Sequence, residues 1–265
     1  MHVASLHLYP LKSCAPLAVD ALDITPRGPA GDRRWLAVDA DGHFLTARKH
    51  PRLVGIRALP DARGIALSAN DAPPIRVDSP APNATRRSVV IWDDRVEAVD
   101  AGDDVAAWLS SYLGIPARLV HMDDSVHRPV DPDHATAGDE VSFADGYPLL
   151  VISQAALDGL NARLPSPVPM ARFRPNIVVA GVAPHAEDDW RRVRIGGIEF
   201  DAVKTCIRCV FTTIDPATMT RDPAGEPLRT LLTYRRTPKG VAFGMNLIPR
   251  GTGPIAIGDD VTPIA

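Results

Sequence analysis

The stretch Val203–Pro216, VKTCIRCVFTTIDP, sets Cys206 and Cys209 on either side of Ile207 and Arg208. A thiolate beside a guanidinium suits a soft metal carried by an anionic organic cofactor, because sulfur grips the metal and the cation grips the anion. Other chemistries compete for a C-x-x-C. A thioredoxin-like pair opens a helix whose N-terminus lowers the first thiol's pKa. Here the β-branched and aromatic run after Cys209 reads as a strand over Cys209–Ile214 that enters a turn at Asp215-Pro216. Structural zinc needs four ligands; only Cys14 remains, and no histidine pair of the usual spacing lies near a cysteine. The plainest alternative is that both cysteines are small buried hydrophobes.

The whole-chain composition narrows the choice. The net charge is −3, so there is no global basic field for nucleic acid, and any anion site must be local. The 3 cysteines cannot build a disulfide framework, which fits a reducing compartment, nor a Cys₄ iron–sulfur cluster. A redox enzyme of this kind must draw its electrons from elsewhere. The N-terminus, MHVASLHLYPLKS, has no basic leader or long apolar core, and no run approaches a membrane span, so a cytoplasmic protein without membrane association is expected.

The elements that must position these residues read as mostly strands. Residues 1–100 show short alternating runs broken by turns: Val3–Tyr9, a hairpin of Arg34–Val38 with His43–Ala47 through Asp41-Gly42, then Gly64–Ser68, Pro74–Val77, and Ser88–Val90 with Val96–Val99. Helices are expected at Asp103–Leu113, stopped by Gly114; at Ser153–Leu164, with Ser153 as N-cap; and at Pro227–Arg235. Ile177–Ala180 reads as a buried strand and Val193–Val203 as a hairpin through Gly196-Gly197, while Phe243–Ile248 and Ile255–Val261 close the chain as strands. The polar stretch 121–140 reads as an exposed loop bordering a site, with His121, His127 and His134 as candidate proton donors. The fold class is mainly β with a few helices (α+β), with a boundary near residues 115–125.

The flanking residues also carry a resemblance. VKTCIRCVFTTIDP, preceded by RFRPNIVVAGVAPHAEDDW (Arg172–Trp190), resembles the MOSC domain, named for the C-terminal part of molybdenum-cofactor sulfurase. LYPLKSCAPLAVDAL (Leu8–Leu22) and GDRRWLAVDADGHFLTARKHPRL (Gly31–Leu53) resemble the β-barrel domain that precedes it. Within that family the likeness is greatest to the amidoxime-reducing component and its bacterial relatives. The resemblance implies an N-terminal β-barrel-like domain over 1–118 and a MOSC β-barrel domain over 119–265.

It also implies a molybdenum–molybdopterin cofactor, with Cys209 as the metal ligand and Arg208 and the backbone around Ile207 against the pterin. Lys12, Ser13, Arg33, Arg174 and Asn176 match other cofactor-binding positions, and Asp145, Gly146 and Tyr147 match the segment lining the metal pocket. The matched cations suit a pterin phosphate dianion, since guanidinium gives bidentate recognition and lysine adds a point charge. This chain departs from the pattern at Ile207, where relatives have a small hydroxyl residue, at Tyr147, where they have serine, and at Asn246, where they have tyrosine. Cys14, beside Lys12-Ser13, is expected to pack.

The implied activity is reduction of N-hydroxylated or N-oxygenated small molecules (amidoximes, hydroxylamines, N-oxides), with Cys209 holding the metal and Asp145 orienting substrate or relaying a proton. Electrons would come from a separate ferredoxin, flavoprotein or cytochrome. Two further readings stay open: a cofactor carrier or sulfur-transfer module using Cys209, and a structural or interaction domain.

Overall fold

The structure is a computed structural model that describes residues 1–81 and 83–264. The described residues are mostly strand, with three α-helices: α1 (Asp103–Leu113), α2 (Gln154–Asn161) and α3 (Leu228–Tyr234). None of these helices is long and apolar enough to cross a membrane.

The largest sheet runs in the order Leu17–Val19, His2–Leu8, Ile177–Ala180, Leu149–Ser153, Gly240–Pro249, Ile198–Arg208, Arg192–Ile195, Val261–Ile264. Its one parallel pairing joins Leu149–Ser153 to Ile177–Ala180, and α2 lies in the crossover between them. Strand alternation divides the core here. Leu149 and Val151 face one cluster with Phe200 and Leu247, while Leu150 and Ile152 face another with Leu157, Phe173 and Phe243. A strand buried on both faces explains the unbroken apolar run. The N-terminal strand His2–Leu8 is hydrogen-bonded into this sheet, antiparallel to Ile177–Ala180.

A second sheet orders Trp35–Val38, Arg118–His121, Asp94–Asp100 and Arg86–Ile91. The division expected at 118/119 falls within its strand Arg118–His121. A third stacks Arg57–Asp61, Gly64–Ala69 and Ala72–Asp78. Helix α1 seals the adjoining core with Val105, Trp108, Leu109 and Tyr112. Asp103 and Asp104 sit at its positive end, and Gly114, left-handed at φ 71°, stops it.

Several local expectations are corrected. The strand Ile198–Arg208 ends at Arg208, and Val210–Thr213 forms a single 3₁₀ turn rather than part of a strand. The hydroxyls of Thr212 and Thr213 donate to the carbonyls of Cys209 and Val210, which closes a local turn in place of a sheet ladder. The return strand His43–Ala47 is reduced to isolated bridges, Val38 with Phe44 and His43 with Val90. Ser153 makes no side-chain cap; its hydroxyl accepts from the His185 N–H and its own N–H donates to Glu187. His121 is the end of a strand, not the start of a loop, and its ring lies 4.4 Å from that of Trp35. The hairpin through Gly196-Gly197 forms as expected, with Ile195 opposite Ile198.

Asp100 ties the second sheet together. It accepts from Arg118 twice at 2.8 Å, from Arg87 on the next strand, and from the Gly102 N–H before α1. Burial raises its pKa, but the hydrogen bonds from Arg118, Gly102 and Arg87 outweigh it and hold the carboxyl at about 2. The resulting stabilisation is complete above the unfolded pKa of 3.8 and is lost as pH falls through about 2. Asp100→Ala is expected to cost about 1–2 kcal/mol in urea unfolding at neutral pH, because it removes the hydrogen bonds that Arg118, Arg87 and Gly102 donate to a buried carboxylate; the cost should shrink in titrations below pH 4.

Candidate functional site

The long strand Ile198–Arg208 delivers the C-x-R-C segment. Its register against Gly240–Pro249 shifts twice, between Ala202 and Lys204 and between Thr205 and Ile207. Bulges re-aim the side chains that follow them. Pairing stops at Arg208 opposite Val241, so Cys209 is the first residue free of the ladder. Gly240 sits beside this end at φ 129°, and a Cβ there would meet the Ile207 Cγ2 at 2.7 Å. The glycine thus leaves room for Ile207 at the cavity wall.

One cavity, ≈ 140 Å³, gathers the residues singled out from the sequence: Lys12, Ser13, Arg33, Asp145, Gly146 and Tyr147, together with Arg174, Asn176, Ile207, Arg208, Cys209 and Asn246. They come from six separate stretches of chain. Ser13, Arg33 and Arg174 hold positive φ of 68°, 48° and 57°. Non-glycine residues rarely adopt that region, and three around one cavity mark a backbone bent to aim its side chains.

The cations are held individually. The Tyr9 ring serves two guanidiniums, with Arg33 and Arg174 each 4.2 Å from its centroid. Arg33 donates to buried Asp32 at 2.5 Å and to Asn176 Oδ1 at 3.0 Å. Asn176 also accepts from the Leu150 N–H and donates to Asp32 and to the His7 carbonyl, so its amide is fully engaged in orienting Arg33. Arg174 donates to the Cys14 carbonyl, and Arg208 to the Phe173 carbonyl and to Cys206 Sγ at 2.9 Å. Cys206 therefore acts as a rest for the Arg208 guanidinium. Asn246 donates to the Lys204 carbonyl at 3.0 Å.

Two of the guanidiniums keep a donor without a partner. Arg174 Nη2 and Arg208 Nε are buried and unpaired among the described residues. Buried donors are otherwise almost always paired, so these two point to an absent acceptor. Burial and the neighbouring Arg33 bring the Arg174 pKa down to about 10, still cationic at neutral pH.

Lys12 is buried and donates to the Phe143 carbonyl at 2.7 Å and to Asp145 Oδ1 at 2.5 Å. Burial draws its pKa down to about 8 against the raising pull of Asp145. The protein packed around the Asp145 site works upward on its carboxyl, but the side chain is itself 66% exposed, and the Lys12 ammonium prevails and holds it well below the usual range.

Arg48 and Trp92 also belong to the site but were not singled out from the sequence. Arg48 Nη1 lies 3.9 Å from Cys209 Sγ, and its guanidinium stacks 4.1 Å from the Trp92 ring. Trp92, at φ 56° in the turn between Arg86–Ile91 and Asp94–Asp100, donates to Asp145. Arg48 stood in a basic stretch where no spacing rule marks one residue over another. An exposed tryptophan at a hairpin turn was the missed signal for Trp92.

The loop histidines separate. Burial and nearby Arg34 push His121 down to about 4, and His127 pairs with Glu140 at an exposed position. Only His134 approaches the site, with its ring 6.3 Å from that of Tyr147. Cys14 is fully buried in the N-terminal core and burial pushes its thiol up, as a packing residue requires.

Residues 1–116 match the MOSC N-terminal beta barrel domain and residues 138–262 match the MOSC domain, so the chain belongs to the MOSC-domain proteins. It is 36% identical over 280 residues to the mitochondrial amidoxime-reducing component 1 of Homo sapiens, covering 98% of this chain and 82% of that one. It is 35% identical over 278 residues to the mitochondrial amidoxime reducing component 2 of Rattus norvegicus, with 98% and 82% covered. Within the MOSC-domain proteins the chain belongs to the family of the amidoxime-reducing components.

The Lys12–Asp145 pair gives a direct test in the cofactor-free protein. The folded state holds the Lys12 proton less tightly than the unfolded chain, whose lysine titrates near 10.5. The charged group thus opposes folding below about pH 8, and this cost fades as pH rises toward 10.5. The Lys12 ε-carbon resonance should titrate near 8 and move to lower pH in Asp145→Asn, which removes the raising partner but leaves the burial.

Proposed function

We propose that the protein is a molybdenum-cofactor-dependent oxidoreductase that reduces N-hydroxylated and N-oxygenated small molecules, with electrons from a separate redox protein. The observation that carries this reading is the meeting of Cys209 Sγ with Lys12, Arg33, Arg174 and Arg208 at one cavity where two buried guanidinium donors lack partners. A thiolate and an under-compensated cation cradle fit a soft metal on an anionic pterin, and they fit a neutral ligand poorly. Membership of the amidoxime-reducing component family supplies the substrate class.

In this reading Cys209 holds the metal. Arg174 and Arg208 bind the pterin phosphate, with Arg33, steadied by Asp32 and Asn176, beside them. When bound, the molybdenum group supplies two-electron oxygen-atom chemistry, which the protein alone lacks.

The chain's own residues then handle charge and protons. Reduction of an N–OH group consumes two electrons and two protons and releases water. Asp145, held ionised by Lys12, is an acceptor at neutral pH and orients a substrate N–H. Lys12, titrating near 8, keeps the proton of the pair and through its 2.5 Å contact holds Asp145 as the ionised acceptor. Arg48 steadies the Cys209 thiolate, and its stacking on Trp92 keeps it there.

Cys209→Ala is expected to abolish benzamidoxime reduction while the circular dichroism spectrum stays unchanged. Cys206→Ala should cost less, because it removes only the rest under Arg208; equal losses would show that the two sulfurs act as a unit. Arg174→Ala should lower the molybdenum content of purified protein, measured by elemental analysis, and a variant that keeps full metal would place the phosphate elsewhere.

A further inference from the structure

Arg33 and Arg174 are held in different ways. Arg33 is paired with buried Asp32, whereas Arg174 has no carboxylate partner among the described residues. The Arg174 guanidinium rests on the Cys14 carbonyl and on two rings, Tyr9 at 4.2 Å and Phe211 at 5.3 Å. The two cations repel each other, and Arg33 stands next after burial among the influences that lower the Arg174 pKa. Yet both guanidiniums lie 4.2 Å from the same Tyr9 ring.

Tyr9 is fully buried and does not line the cavity. Its polar groups all engage the segments that carry the two arginines. The N–H donates to Asp32 Oδ1 at 2.9 Å, and the carbonyl accepts from the Arg33 N–H at 2.7 Å. The hydroxyl donates at 3.0 Å to the carbonyl of Pro175, the residue that follows Arg174. Burial pushes that hydroxyl up to about 12, so it stays a donor. Both segments are bent, with Arg33 and Arg174 at positive φ, and Tyr9 is bonded to each bend. A ring also differs from a carboxylate as a partner. It attracts a guanidinium through its face and uses none of the in-plane N–H donors. Arg174 Nη2 is one such donor, buried and without a partner among the described residues.

We propose that Tyr9 is a positioning residue that joins Arg33 and Arg174 into one anion-binding unit. Its ring offsets the repulsion between the two guanidiniums and leaves their edges to the ligand. Its hydroxyl holds the left-handed bend that aims Arg174. The ring contributes more than the hydroxyl, because it serves both cations while the hydroxyl fixes one peptide. Tyr9 acts only through the arginines, so its removal should make each of them individually less useful. The proposal rests on the cavity being an anion site, and is independent of the metal and the reaction.

The test is calorimetric titration of the cofactor-free protein with inorganic phosphate at low ionic strength, so it needs neither metal nor electron donor. Tyr9→Phe should weaken phosphate binding about three-fold and Tyr9→Leu about ten-fold or more, with the circular dichroism spectrum unchanged. A double-substitution cycle gives the readout that general loosening would not move. Arg174→Gln should cost about ten-fold in the wild-type background and about two-fold or less beside Tyr9→Leu, because the arginine is then no longer aimed. In Tyr9→Phe the Nε–H resonances of Arg33 and Arg174 should move together as phosphate is added, and this measurement decides the matter if Tyr9→Leu does not fold. A response of only one of the two resonances overturns the proposal, as does an equal cost of Arg174→Gln in both backgrounds. Wild-type affinity in Tyr9→Leu overturns the positioning role alone. A wild-type protein that binds no phosphate overturns it together with the anion-site reading of the cavity.

Discussion

The structure depends on bringing several positive charges to one small cavity without neutralising them. Lys12, Arg33, Arg174 and Arg208 arrive with a single buried counter-charge, Asp32, and one exposed one, Asp145. Burying like charges costs free energy. The protein limits that cost with dipoles rather than with acids: the Phe143, Cys14 and Phe173 carbonyls each accept from one cation, and the Tyr9 ring face serves two. Carbonyls and rings carry only partial negative charge, so they fix the cations in place but leave the cavity electropositive. A cavity lined by acids would have been more stable and would have held no anion.

The fold supplies this by crossing strands from both halves of the sequence. Tyr9 and Lys12 follow the strand His2–Leu8, Arg174 and Asn176 precede its partner Ile177–Ala180, and Arg208 ends a strand three places further across the same sheet. The sheet therefore sets the spacing between cations, while the left-handed residues Ser13, Arg33 and Arg174 set their direction. The second sheet contributes from above: its hairpin turn carries Trp92, which holds Arg48 over Cys209.

Much of this was legible in the sequence where the signal is local. The C-x-R-C segment, RFRPN, YPLKS and GDRRW are short motifs that each send at least one residue to the cavity, and α1 and the Gly196-Gly197 hairpin announce themselves by spacing and turn chemistry. What escaped was decided by tertiary context. Val210–Thr213 has strand composition but coils because its threonine hydroxyls find carbonyls within the turn. His121 looked like a loop residue because the loop's polarity begins at its own position, although Trp35 claims its ring. Arg48 and Trp92 matter through their contacts with each other, with Cys209 and with Asp145, relations between residues far apart in the chain that no window could reveal.

The pairing of His2–Leu8 with Ile177–Ala180 has a consequence for biosynthesis. The opening strand leaves the ribosome long before its neighbour exists, and more than half the chain must be made before that edge can close. Until then the apolar side chains of Val3, Leu6 and Leu8 stay uncovered, a liability that invites chaperone protection of the nascent polypeptide. Cys209 emerges later still, so the cavity comes into being only after both of these strands have been made, and any prosthetic group it houses must be inserted after that point.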